Sequence, residues 1–391
     1  MRVLVFTVTA GEGHNAIAKA VCEELESRGI ETRLVDLYKG RKKLLAWIMN
    51  KGYFTLLRYF LTPTNYIFRR EQQRSIKRRN SSIVRIVADW EKSYVKEQID
   101  EFRPDAVFCS HFIPGAAITN LKKEFELPPT AVMMTDYCVY PYCENTTGCE
   151  YFLIPTMELK ERVAARGVAE ERILAFGIPV KEKFARQLDK AEMLRKIGLD
   201  PAKRTVLVMN GGIGFGRIDR LIRDISKIEA DYQIINVCGR NEKMRLRVEK
   251  LIKKGRTKPI VNLGYVDNVD ELMSAADLYI GKVGMISINE AMNKELPMIA
   301  LNRLAQQEIE NRAFMTERRA MIQVQNLKEL PGTLSGLLEH PEQIEELKAN
   351  IRKIRKPDAK RELGDFLERI AGDYHAGHRD DYHPFGAEKL Q

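Results

Sequence analysis

The sequence predicts an α/β protein built as two doubly wound domains in series, and three observations predict it. Apolar runs of strand length alternate with helical stretches from the start of the chain to Leu301. In each half, the first apolar run leads into a glycine-rich turn, Ala10-Gly11-Glu12-Gly13-His14 and then Asn210-Gly211-Gly212-Ile213-Gly214-Phe215-Gly216. At 391 residues the chain is too long for one ordinary domain and suits two of this type. The seam falls near residues 178–203, which sets the expected domains at 1–178 and 179–391.

Taken in order, RVLVFTV (2–8) reads as the first strand. Ile17, Ala20, Val21 and Leu25 then repeat at helical spacing until Gly29 ends the helix, and ETRLVDLY reads as a second strand. A basic, aromatic segment (39–92) follows as an insertion of helices. Alternation resumes with PDAVFCSHF, a helix near Ala116–Phe125, the strand TAVMMTD, the strand EYFLIPT, a helix closed by Gly167, and RILAFGIPV. The second half repeats the plan: a strand from Arg204, a helix near Arg217–Ile228, then YQIINVCGRN, MRLRVEKLIKKG, PIVNLGYV, DELMSAAD, LYIGKVG, SINEAMNKE and PMIAL alternate strand with helix. The last stretch, EQIEELKANIRKIRKPDAKRELGDFLERIA (342–371), reads as helical, and the polar tail beyond Asp373 is expected to be mobile. In such sheets ligands sit beyond the carboxyl ends of the strands.

No apolar run reaches the roughly 20 residues of a spanning helix. The apolar start reads as a strand rather than a signal peptide, so the expected location is the cytosol or the cytosolic face of a membrane. The positive charge is local: residues 39–92 carry 14 Lys/Arg against 3 Asp/Glu, which exceeds the net +10 of the whole chain. Both tryptophans, Trp47 and Trp90, lie in this segment with Phe54, Phe60, Arg69 and Arg70. That composition suits an anionic membrane surface. Nucleic acid or a solvated helical pair is the alternative, and nucleic acid is not expected. Cys138, Cys143 and Cys149 lack the spacing and the fourth ligand of a zinc site and read as free thiols; no metal is expected.

The chemistry-bearing residues cluster at strand-to-helix turns. Gly11 and Gly13 let the backbone approach a ligand, and His14 at the helix start can accept a proton or cap the helix. A dinucleotide fingerprint would need a third glycine, and Asp36 is the one acidic residue placed to serve its ribose. Asp136 closes an apolar strand and is a second candidate base. Gly211, Gly212 and Gly214 form a loop suited to a diphosphate, with Arg217 beside it. Lys282, Gly284 and Ser287 offer a cation, a backbone amide and a hydroxyl to phosphate. Glu290 lies one helical turn after Ser287 and can accept both hydroxyls of a ribose. Gln306, Gln307, Glu308 and Asn311 suit the hydroxyls of a sugar.

Together these pieces resemble the family of monogalactosyldiacylglycerol synthases and processive diacylglycerol glucosyltransferases, which is related to MurG (glycosyltransferase family 28). The residues that carry the likeness are Gly11-Glu12-Gly13-His14, Met134-Thr135-Asp136-Tyr137, Phe176–Val180, Val237–Asn241 and Gly264–Val266. The resemblance implies the GT-B architecture: two Rossmann-like domains facing across a cleft, with the donor on the second. It implies an inverting transferase that moves a hexose from a UDP-sugar to a membrane lipid, foremost diacylglycerol, with no cofactor beyond the donor. His14 would be catalytic, Glu290 would hold the ribose, Gln307 and Glu308 the sugar, and Gly239 and Val266 would line the nucleotide site. The enzyme would sit peripherally on the cytoplasmic face of the cell membrane. The family's KPGG-x-T/S reads here Lys282-Val283-Gly284-Met285-Ile286-Ser287, and its PGQE reads Ala305-Gln306-Gln307-Glu308. That departure motivates a second reading, a non-catalytic nucleotide-sugar-binding membrane protein. A third is a soluble UDP-sugar epimerase of the same fold, which would not need the 39–92 segment.

Overall fold

The computed structural model describes residues 1–9, 12–40, 66, 70, 82–140, 143–209, 217–282, 284–301 and 306–378. Its contacts divide the chain into two compact units. The first is built from Met1–Lys181, Ala305–Gln307 and Lys356–Gln391; the second from Glu182–Leu304 and Glu308–Arg355.

In the first unit, β1 (Arg2–Thr7), β2 (Glu31–Asp36), β3 (Ala106–Cys109), β4 (Thr130–Met133), β5 (Tyr151–Ile154) and β6 (Ile173–Ala175) form a parallel sheet in the order β2-β1-β3-β4-β5-β6. β3 and β4 are buried along their whole length, as expected of parallel strands covered on both faces. The helix α1 (Glu12–Ser27) lays Ile17, Val21 and Leu25 on the sheet. It ends where Gly29, at φ +75°, lets the Ile30 amide reach back to the Leu25 carbonyl at 3.0 Å. The helix α2 (Ser82–Phe102) buries Val84, Ala88, Val95, Ile99 and Phe102 at helical spacing and packs on α3 (Phe112–Leu121). α3 starts four residues before the expected helix because His111 caps it: the ring accepts the Ile113 amide.

The second unit repeats the design. β7 (Arg204–Met209), β8 (Tyr232–Val237), β9 (Ile260–Leu263), β10 (Leu278–Gly281), β11 (Met298–Ala300) and β12 (Met321–Gln323) form a parallel sheet in the order β12-β11-β10-β7-β8-β9. The crossover helices that bear on the site are α4 (Ile218–Ile225), α5 (Glu242–Lys253), α6 (Val269–Ala275), α7 (Met285–Asn293) and α8 (Gln306–Glu317). β12 and the helix α9 (Leu330–Glu339) were not anticipated from sequence. Three residues are too few to show a period, and LPGTLSGLLE carries two glycines and a proline. Burial of Leu330, Leu334 and Leu337 overrides that weak propensity.

The sequence places the terminal helices with the second domain. The helix α10 (Pro341–Ile354) lies there, but α11 (Ala359–Gly377) belongs to the first unit. It buries Leu363, Phe366, Leu367 and Ile370. Phe366 meets the Tyr151 ring edge-on at 4.9 Å, and Arg28 of the first unit reaches Asp365 at 2.6 Å and Glu368 at 3.0 Å. α11 also runs past Asp373, and His375 lies 2.9 Å from Asp105, so the start of the expected mobile tail is helical instead; residues 379–391 lie outside the described residues. Among the described residues no helix is long and apolar enough to cross a membrane.

Candidate active site

Each sheet has one place where the chain changes direction: between β1 and β3 in the first unit, and between β7 and β10 in the second. Carboxyl ends of strands diverge there and leave a crevice. The candidate residues gather at these two points.

In the first unit, His14 lies in the first turn of α1, beyond β1, and its Nδ1 is 2.7 Å from the carbonyl oxygen of Ser110, just beyond β3. A carbonyl only accepts, so Nδ1 carries the proton and Nε2 the lone pair. The Thr135 hydroxyl, beyond β4, is 3.4 Å from the same nitrogen. The His111 ring meets His14 edge-on with centroids 4.7 Å apart. Burial lowers the His14 pKa, the Ser110 carbonyl opposing it; burial and then the His14 charge push His111 further down. Both rings are therefore neutral near pH 7.

A polar chain fixes the start of α1. Thr9 donates its amide (3.2 Å) and its hydroxyl to Asp36; Asn15 donates to Thr9 (2.9 Å) and accepts from Thr7 (2.9 Å); Ser110 donates to Thr7 (3.0 Å). Asp36 is thus an anchor for the turn that carries His14. Asp136, the other candidate base, is half-buried beyond β4 and accepts the Tyr140 hydroxyl.

The organising residue of the second unit is Tyr279, buried on β10. Its hydroxyl donates between the carbonyls of Met209 (3.1 Å), at the end of β7, and Lys282 (3.2 Å), beyond β10. Burial raises its pKa, with the Glu290 carboxylate adding to this and a hydrogen bond with Ser287 opposing it. Ser287 and Glu290 therefore lie together on the face of α7 that meets this phenol. Gly281 is obligatory, because a Cβ there would stand 2.0 Å from the Met209 carbonyl oxygen. Gly284 caps α7, so the amides of its first turn open beside Lys282.

Lys282 Nζ is 2.7 Å from Glu308 Oε1, which joins the phosphate-loop candidate to the sugar-site candidate. Gly239, at φ +57°, ends β8 and lies beside Gly264, which ends β9. Val266, two residues on, is half-buried, and next to it the exposed Tyr265 ring lies 5.1 Å from the Arg240 guanidinium.

Other expected residues fall elsewhere. Arg217 precedes α4 and is held by Asp219 through two contacts of 3.2 Å. Asn311 is wholly buried, at 0% exposure, so no ligand atom reaches it without rearrangement. Gln307 is half-buried, and Gln306 begins α8 with its side chain outside the described set. Gly211, Gly212, Gly214, Trp47, Phe54, Phe60 and Arg69 also lie outside the described residues; Arg70 is exposed. On α2, Ile86 and Trp90 expose 47% and 57% of their surface one helical turn apart. Cys138, Cys143 and Cys149 are free buried thiols, and among the described residues no group of three His, Cys, Asp or Glu side chains could hold a metal ion.

Sequence reasoning missed His111, Tyr279 and Gly281. A Ser-His pair directly after a buried strand was a usable signal for the first. Nothing in LYIG distinguishes a phenol that bridges two strand ends from one that only packs.

The chain matches the monogalactosyldiacylglycerol (MGDG) synthase model over residues 14–180 and the glycosyltransferase family 28 C-terminal domain over 205–363. It is 26% identical over 361 residues to a processive diacylglycerol beta-glucosyltransferase of Staphylococcus carnosus, covering 89% of each chain. Among solved structures it resembles MurG of Acinetobacter baumannii, with a TM-score of 0.61 at 13% identity, covering 94% of this chain and 99% of that one. A UDP-GlcNAc 2-epimerase of Neisseria meningitidis bound to UDP-GlcNAc gives a TM-score of 0.63 at 15% identity, covering 94% and 100%. Such structural likeness establishes the GT-B fold.

Proposed function

Since the chain belongs to the glycosyltransferase family that joins an MGDG-synthase domain to a family 28 C-terminal domain, we propose that it is an inverting hexosyltransferase that moves a sugar from a UDP-sugar to the hydroxyl of a membrane lipid, diacylglycerol foremost. The observation that carries the mechanism is the His14 tautomer. Nδ1 is committed to Ser110, so Nε2 takes the proton of the acceptor hydroxyl as its oxygen attacks the anomeric carbon. The bond from that carbon to the diphosphate breaks on the opposite face, and UDP leaves with the electron pair. Asp136, which already accepts from Tyr140, is assigned to shaping the acceptor side.

In the second unit, the first amides of α7, Ser287 and Lys282 stabilise the diphosphate charge that grows in the transition state. Glu290 accepts the ribose hydroxyls, Gly239 and Val266 border the base, and Gln307 and Glu308 meet the hexose. The basic segment 39–92 and the Ile86–Trp90 ridge favour an anionic membrane surface from which the lipid is drawn.

Purified protein with diacylglycerol in anionic vesicles is expected to release UDP from one UDP-hexose and to form a glycolipid. UDP binding by calorimetry without turnover on any lipid would leave a binding protein. Interconversion of the UDP-sugar without lipid would leave an epimerase.

A further inference from the structure

Two half-buried imidazoles in contact are more than one base requires. His14 needs a partner for Nδ1, which Ser110 supplies. His111 does something else. Its Nδ1 accepts the Ile113 amide at 3.2 Å, which commits that nitrogen to capping α3 and puts its own proton on Nε2. Asp, Asn, Ser and Thr are the usual residues at such a cap. A carboxylate here would face the His14 ring and stabilise its cation; an imidazole caps the helix without charge and adds a flat surface. That surface meets His14 at 4.7 Å and Phe112 at 4.9 Å.

We propose that His111 is a positioning residue for the transfer: a helix cap without a negative charge whose ring packs against His14 and holds Nε2 toward the acceptor. This rests on the assignment of His14 as the base. From just beyond β3 comes the Ser110 carbonyl, and from beyond β4 the neutral Thr135 hydroxyl. Asp136, one residue on, accepts from Tyr140. His111 and His14 are thus in direct contact, and the His14 charge, after burial, lowers the tendency of His111 to protonate.

The test compares His111→Asn with His111→Asp in the full chain. Both keep a cap acceptor for Ile113; only Asp adds charge. The readouts are the pH profile of kcat/KM for the lipid acceptor and the thermal midpoint. Asn is expected to keep the wild-type acid limb while kcat falls roughly 10- to 100-fold through loss of orientation. Asp is expected to move the acid limb up by about 1–3 pH units. An unmoved acid limb in the Asp variant overturns the proposal, and so does full kcat in the Asn variant.

Should either variant fold poorly, imidazole nitrogen NMR of the wild-type chain decides without turnover. With six histidines in the sequence the spectrum is assignable. His14 is expected as the Nδ1–H tautomer and His111 as the Nε2–H tautomer; the reverse at His111 sinks the idea. If the wild type turns over no lipid, or His14→Ala is fully active, it is the function or the base assignment that fails instead, so the failures are distinguishable.

Discussion

His14 and His111 sit uncharged in the first unit, and that fixes the direction of two pH effects. The proposed base works only when deprotonated, and burial holds the His14 pKa below its ordinary 6.5. Activity should therefore be flat at neutral pH and fall only as pH drops below about 6.5, which a kcat/KM profile against pH will read. Stability has the same sign. In the unfolded chain both rings take up protons near 6.5, in the folded chain only at lower pH, so acid favours unfolding and urea midpoints should decline below that pH. The placement of His14 and Glu290, each on a helix that follows a glycine turn, was legible in the sequence. Asp36 was legible as the acidic residue placed to serve a dinucleotide ribose but not as the anchor of Thr9, since that role depends on a hydrogen bond between residues 27 apart in the chain.

Strands and helices explain why the candidate site of the second unit depends on close backbone approach. β7 and β10 are neighbours, and Gly281 permits the contact that a Cβ would block. Gly281→Ala should destabilise the protein by about 3 kcal/mol, measured by chemical denaturation, because backbone on both sides has to move. At the start of α8, Glu308 holds Lys282 at 2.7 Å. A lysine shared with a carboxylate is less available to a diphosphate. Glu308→Gln should therefore tighten UDP binding by several-fold, on the order of 1 kcal/mol for a partly exposed pair, while slowing turnover of the UDP-sugar. Calorimetry with UDP reads the first and a UDP-release assay the second; unchanged or weaker UDP binding would contradict the account. The alternation of elements was readable because long apolar runs and glycine stops are local signals. α9 was not, since burial of three leucines decides it against its own glycines, and burial is a property of the whole unit.

At the scale of the molecule, two sheets of the same kind are made by one chain that returns to the first unit at its end. The four buried apolar side chains of α11, Leu363, Phe366, Leu367 and Ile370, are worth about 1.5–3 kcal/mol each. Together they rival the entire stability of an ordinary domain, about 5–15 kcal/mol. A chain ending at Arg355 should therefore unfold cooperatively at much lower temperature or fail to accumulate as soluble protein, which circular dichroism and sedimentation will show. The sequence reading placed this helix with its neighbours in the chain because contacts between α1 and a helix more than 300 residues later leave no local trace. The two-domain plan itself was readable from the repeated strand-and-glycine openings. The central claim is the proposed transfer itself: UDP is released as a lipid hydroxyl gives its proton to His14. Its most direct test is UDP release by wild type and His14→Ala on anionic vesicles with and without diacylglycerol. The account predicts lipid-dependent release by the wild type and a loss of roughly 100-fold or more in the variant. No lipid-dependent release from any UDP-hexose, or an equally active His14→Ala, would contradict it.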